Sequence, residues 1–273
     1  MDKNLKDWIG REEFCEDVID ELRIKQALSF INTKIKNNNL PILFHLFFAN
    51  NISQLDILDN EGHEKLGHFI PDVKKYGDFS KRMWASGSFI FEGNIKIGEN
   101  ITRVSKITSI EEKQGKSGPL IFVTIERTLK SKSGKIIEHR TIVYKSHDPK
   151  KLPFSLQIEP QPNFNFIEKW TPLNIELFRF SCLTWNSHKI HFDYNHCNAL
   201  ENYPDILVHG PFTAMRMALI ASRNKTIKTF SFKGFQALYV NKVITFSSSE
   251  DISNLHATNF DNQLAMTANV EFK

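Results

Sequence analysis

The chain is predicted to be an α+β protein built from two similar units in tandem, each a helix packed on antiparallel strands. Three observations carry this reading. A helical pattern near the start gives way to a period of two between Arg82 and Tyr144. The same order, helix and then strands, returns in the second half. Between them, Ser146 to Pro162 holds four of the ten prolines (Pro149, Pro153, Pro160 and Pro162) and little pattern, as a linker does. The expected division is 1–147, a linker at 148–165, and 166–273.

Taken in order, Val18, Ile19, Leu22, Ala27, Leu28 and Ile31 recur at helical steps and predict a helix from about Glu12 to Ile35. Residues 37–81 are irregular. Strands are expected at Ser86 to Phe91, Ile101 to Ile110, Leu120 to Leu129 and Ile136 to Tyr144, in a meander separated by turn-rich segments. One of these, Gly115-Lys116-Ser117-Gly118, has the wrong spacing for a phosphate loop and reads as a hairpin turn. In the second half, Leu173 to Thr184 reads as extended. A helix follows from Phe212 to Ser222, then strands at Thr226 to Phe235, Lys242 to Ser249, Asn254 to Asn259 and Leu264 to Phe272. Only Thr213 and Arg216 interrupt the apolar residues between Phe212 and Ala221, so that helix should be buried nearly all round. A short buried helix wrapped by a curled antiparallel sheet is the hot-dog arrangement. A generic α+β core explains the same pattern equally well until the motif below is considered.

Composition excludes several classes. Of 273 residues, 41% are hydrophobic and 24% charged, which suits a globular core, and 23 phenylalanines suit an aromatic-lined sheet. The net charge of +4 comes from scattered lysines, without the basic stripe or recognised module of a nucleic-acid binder. No apolar run approaches the roughly 18 residues of a membrane span. Cys15, Cys182 and Cys197 lack metal spacing and read as reduced thiols. With no signal or transit character at the start, a cytoplasmic location is expected.

The densest polar segment, Ser181 to Gly210, holds four of the ten histidines: His188, His191, His196 and His209. It ends in Gly210-Pro211. Proline is favoured at a first helical position, and the glycine N–H before it would lie at the positive end of the helix dipole. Such a donor can stabilise a developing oxyanion, although an ordinary helix start has the same sequence. His188, His191, Asp193 and His196 could equally be metal ligands or a solvated cluster.

The run FSCLTWNSHKIHFD (180–193), followed by Tyr203-Pro204 and Val208-His209-Gly210-Pro211, resembles the active-site segment of the MaoC-like R-specific enoyl-thioester hydratases and dehydratases. It is most similar to the double hot-dog subgroup of mesaconyl- and itaconyl-CoA hydratases and mitochondrial 3-hydroxyacyl-thioester dehydratases. Trp8-Ile9-Gly10-Arg11, Lys81 to Trp84, Gly98 to Thr102 and Gly118 to Thr124 extend the likeness over nearly the whole chain.

The resemblance implies two fused hot-dog units, the first a non-catalytic acyl pocket, and reversible hydration of an α,β-unsaturated acyl-CoA. A short branched or dicarboxylic acyl group is expected, with no metal or other cofactor and possible homodimerisation. It makes His191 the catalytic histidine, places Asn186 where the family has aspartate, and gives Gly210 the oxyanion role. An amide cannot take a proton, so Asn186 is left to hold water while His191 acts as base. Arg82, Trp84, His188, Lys189 and His209 are expected to meet substrate, with Asp193 orienting the His191 ring. A solvated Lys189 and an inert surface Arg82 are the plainer alternatives. Competing functions are an acyl-carrier-protein dehydratase, a hot-dog thioesterase and a non-catalytic acyl-thioester-binding module.

Overall fold

In the computed structural model, which describes residues 4–115, 118–148, 150–161 and 163–273, ten strands form one antiparallel sheet. The first half supplies β1 (Glu12–Val18), β2 (Lys81–Gly93), β3 (Asn100–Gly115), β4 (Gly118–Lys130) and β5 (Gly134–Lys145). The second supplies β6 (Asn165–Trp170), β7 (Ile227–Gly234), β8 (Ile244–Ser248), β9 (Asn254–Thr258) and β10 (Leu264–Phe272). Their order is β1-β3-β4-β5-β2-β7-β10-β9-β8-β6, so β2 and β7 join the halves edge to edge. At that seam Gly87 faces Phe232 and Phe89 faces Phe230, and the Phe89 and Phe232 rings stack with centroids 6.4 Å apart.

Three α-helices are present among the described residues: α1 (Glu21–Leu28), α2 (Asn174–Thr184) and α3 (Gly210–Ala221). As its composition predicts, α3 is almost wholly buried, lying against β2, β7, β9 and β10. Each of the larger side chains it buries, Phe212, Met215, Met217 and Ile220, contributes roughly 1.5–3 kcal/mol. The first half answers α3 with much less. After Pro41, the apolar run makes one 3₁₀ turn, Phe44–Phe47, whose residues are all buried.

The structure corrects the expected elements in three places. Residues 12–35 are not one helix: Glu12–Val18 is an edge strand with alternating exposure, and only Glu21–Leu28 is helical. The Asp20 carboxylate accepts the Arg23 N–H at 2.7 Å and starts that helix afresh, while Leu22, assigned to the apolar face, is 66% exposed. Leu173 to Thr184 is helix α2 rather than extended chain. The Glu176 carboxylate accepts the Leu173 N–H at 2.8 Å, and Leu177, Phe180 and Ser181 form the buried stripe. The first four long strands are also not a simple meander, because β2 pairs with β5 and β7 instead of β3.

The 146–162 segment runs along the second half, where Ile158 exchanges hydrogen bonds with Gln263 and Leu264. Pro149 and Pro162 of the expected linker lie outside the described residues, as do Lys116 and Ser117 of the expected hairpin turn.

Candidate active site

Two features of the chain bring the motif onto the seam. The first is a bulge between Trp84 and Ser86 in β2. Before it, Arg82 and Trp84 face a cavity; after it the inward phase passes to Gly87 and Phe89. The second is the aromatic bracket between α2 and α3. Phe180 stacks on Phe212 at 4.5 Å and packs against the His209 ring at 4.8 Å. The next residue, Ser181, hydrogen-bonds His209 Nε2 through its Oγ at 2.9 Å.

The cavity so formed, about 380 Å³, is lined by His191, Asn186, His188, His209 and Gly210 from the second half and by Arg82 and Trp84 from the first. Of the residues expected from sequence, only Lys189 and Asp193 are outside it. Lys189 uses its backbone N–H to hold the Glu61 carbonyl at 2.9 Å. Asp193 accepts the His196 N–H at 3.0 Å and so begins the next turn, His196–Leu200, instead of orienting the His191 ring. A larger groove of about 680 Å³ lies at the other end of α3, rimmed by Lys34, Lys36, Arg223 and Lys225, and contains none of the motif.

His191 Nδ1 lies 2.9 Å from the Leu207 carbonyl oxygen. A carbonyl can only accept, so Nδ1 carries the proton and Nε2 keeps its lone pair. Burial pushes the His191 pKa down to about 4, against a smaller upward pull from that hydrogen bond, so the ring is neutral near pH 7. His209 stacks on it with centroids 3.6 Å apart, and burial holds His209 well below the usual imidazole range too. Asn186 Oδ1 accepts the His188 N–H at 3.1 Å, which leaves the amide NH₂ as the group available to the cavity.

Several lining residues were not anticipated from sequence. His63 sits with its ring 3.9 Å from that of His188, brought there by a first-half loop docked on the segment that holds His188 and His191. Gly62 in that loop has φ +88°, and its carbonyl accepts the Ser187 hydroxyl at 2.5 Å. Arg103, Arg127 and Arg140 line the end of the cavity formed by the first half. They alternate with Ile, Val and Leu on the inward phase of β3, β4 and β5. A charge on that apolar phase was the available signal.

A buried helix on an antiparallel sheet, with a neutral histidine, an amide and a helix N-terminus around one cavity, is the arrangement expected from the resemblance to the hot-dog acyl-thioester enzymes. The family model for hydroxyacyl-thioester dehydratase type 2 matches residues 43–240, and the chain belongs to that family. It is 29% identical over 276 residues to the mesaconyl-C(4)-CoA hydratase of Chloroflexus aurantiacus, covering 97% of this chain and 96% of that one. Among solved structures it resembles HtdX of Mycobacterium tuberculosis, with a TM-score of 0.67, 12% identity and coverage of 95% and 98%. A second Mycobacterium tuberculosis protein, described as having a double hot-dog fold, gives 0.61 at 8% identity with coverage of 97% and 96%. The fold is therefore the double hot-dog, and the protein is a hydro-lyase of the hydratase/dehydratase type.

Proposed function

We propose that the protein reversibly hydrates an α,β-unsaturated acyl-CoA with His191 as its single acid–base group. The observation that carries this is the Nδ1–H to Leu207 carbonyl bond, which commits one ring nitrogen and leaves Nε2 to act. Water held by the Asn186 NH₂ gives a proton to Nε2 as its oxygen bonds to the β-carbon. Electrons of the C=C bond move onto the thioester oxygen as an enolate. The Gly210 N–H has no partner among the described residues and stands at the start of α3, suited to receiving that oxygen. The imidazolium then returns its proton to the α-carbon, and the carbonyl reforms. An imidazolium disfavoured by burial gives up a proton readily.

The preferred substrate is a short branched or dicarboxylic enoyl-CoA, in keeping with the mesaconyl-C(4)-CoA named for the Chloroflexus relative. The three cysteines are unbridged, which fits the cytoplasm as the site of reaction. No metal is required in this reading, since His191 and a water held by Asn186 supply the acid–base chemistry between them. Chelator treatment should leave activity intact; loss of activity restored by zinc or iron would reject the metal-free reading. We place a homodimer as the working oligomer, which light scattering tests directly.

The decisive experiment follows loss of the conjugated enoyl absorbance across a panel of enoyl-CoAs. His191→Ala should lower turnover by roughly 10²–10⁴ while leaving the fold intact. Near-normal activity in that variant would reject the assignment. Release of free thiol without hydration would favour a thioesterase, and binding without turnover a non-catalytic module.

A further inference from the structure

The inner face of the first-half sheet should be apolar throughout, and mostly it is. Ile101, Ile107, Ile121, Val123, Ile125, Leu129, Ile136 and Ile142 are all buried on it. Across its middle runs a band of charge: Arg103 from β3, Arg127 from β4, and Glu138 and Arg140 from β5. Three guanidinium groups among aliphatic side chains are costly unless each meets an anion or an acceptor.

Two of the three have an anionic partner. Arg103 pairs with Glu13 at 2.7 Å and also donates to Asn51 and the Ala49 carbonyl, tying the loop before β2 to the sheet. Arg140 pairs with Glu138 at 2.7 Å, and its guanidinium lies 3.7 Å above the centre of the Trp84 ring. Arg127 differs. It faces Ser105 on one side and Glu138 on the other, but Glu138 gives its carboxylate to Arg140. Among the described residues Arg127 has no hydrogen bond or ion pair, and its Nε, like that of Arg103, is buried without a partner. Glu13 and Glu138 thus answer two of three positive charges. His45, the other titratable group of the band, adds no anion. Burial, and after it crowding by Arg127, lowers the Arg103 and Arg140 pKa values to about 10 and about 9.

The three arginines of the band line the same cavity as His191, Asn186 and Gly210. A thioester positioned at the α3 terminus would place its acyl group toward this wall. A guanidinium without a partner at that place matches a carboxylate in charge and in fork geometry.

We propose that Arg127, backed by Arg140, binds a carboxylate at the far end of the acyl group and makes the enzyme selective for dicarboxylic enoyl thioesters. This rests on the hydratase reading above and assigns its substrate class to a residue.

The test compares substrates that differ only in a terminal carboxylate: fumaryl-CoA with crotonyl-CoA, and 2-hexenedioyl-CoA with 2-hexenoyl-CoA. The wild-type protein should favour the carboxylated member of at least one pair by roughly ten- to a hundredfold in kcat/KM. Arg127→Met should collapse that ratio, and Arg127→Lys should keep part of it. Calorimetry adds a readout independent of turnover, in which succinyl-CoA binds more tightly than butyryl-CoA and Arg127→Met abolishes the difference. Equal rates within both pairs, an unchanged ratio in Arg127→Met, or a collapse in Arg82→Met instead would overturn the assignment to Arg127. Hydration of no enoyl-CoA at all, with the succinyl preference in binding intact, would reject the hydratase reading and leave the carboxylate site standing.

Discussion

At the scale of single residues, the site depends on which nitrogen is free and which amide atom is occupied. Asn186 spends its oxygen on the His188 N–H, so its contribution to the cavity is a donor. Asn186→Ala should therefore cut kcat by about tenfold or more through loss of the water's anchor. Asn186→Asp keeps the acceptor for His188 but replaces the donor with a charge. That charge favours protonated His191 and raises its pKa from about 4. With neutral His191 as the proposed base, the acidic limb of kcat/KM should move to higher pH in the aspartate variant. Wild-type rates across pH in the alanine variant would show that Asn186 does not hold water.

The motif made His191, Asn186 and Gly210 legible because their spacing is local. It could not show that Asp193 serves His196 and that a backbone carbonyl, Leu207, orients the His191 ring. Backbone partners leave no trace in side-chain identity. Arg127 was legible in principle, as a charge on the apolar phase of Ile121, Val123, Ile125 and Leu129, yet periodicity alone does not say what the charge meets.

At the scale of elements, the loop around Gly62 closes the catalytic segment from the first half. A Cβ at Gly62 would lie 1.9 Å from the Ser187 carbonyl oxygen, and its φ of +88° is strained for any other residue. Gly62→Ala should force the loop away from His188. We expect a loss of roughly 1–3 kcal/mol in unfolding free energy and a fall in activity, read by urea titration and enoyl-CoA turnover. Stability and turnover both unchanged would mean that the loop is dispensable.

Strands β2 to β5 and β7 to β10, and helix α3, were readable from their periods, whereas β6 was not expected. Elements set by one or two local contacts were not readable. β1 and α1 merge into a single helical pattern until Asp20 divides them, and α2 depends on Glu176 closing its first turn. The cap residues are visible in the sequence, but neither segment shows a clean period to give them weight.

On the scale of the whole molecule, histidines held below the usual imidazole range couple the fold to pH, His256 among them. Burial holds His45 and His191 near about 4, and His63, His188 and His209 lie well below the usual range. In the unfolded chain each takes a proton as pH falls through about 6.5. The unfolded state then binds more protons than the native one, so stability is full above about pH 6.5 and falls as pH drops toward 4. Urea midpoints should decrease steadily between pH 7 and pH 5. His45 has two unpartnered ring nitrogens and packs edge-on against Phe89 and Phe91. His45→Phe should therefore flatten that decline, and an unaltered slope would remove His45 from the account.

The seam between β2 and β7 has a consequence for how such a protein can change over generations. Two identical subunits share one gene, so any substitution in one pocket wall is imposed on both, including the copy carrying the catalytic histidine. Here the wall bearing Arg103, Arg127 and Arg140 and the segment bearing His191 are encoded separately, although one sheet holds them together. A mutation that alters which acyl group is accepted need not touch the chemistry performed on it. On the proposed roles of Arg127 and His191, one half is free to drift in selectivity while the other conserves the reaction.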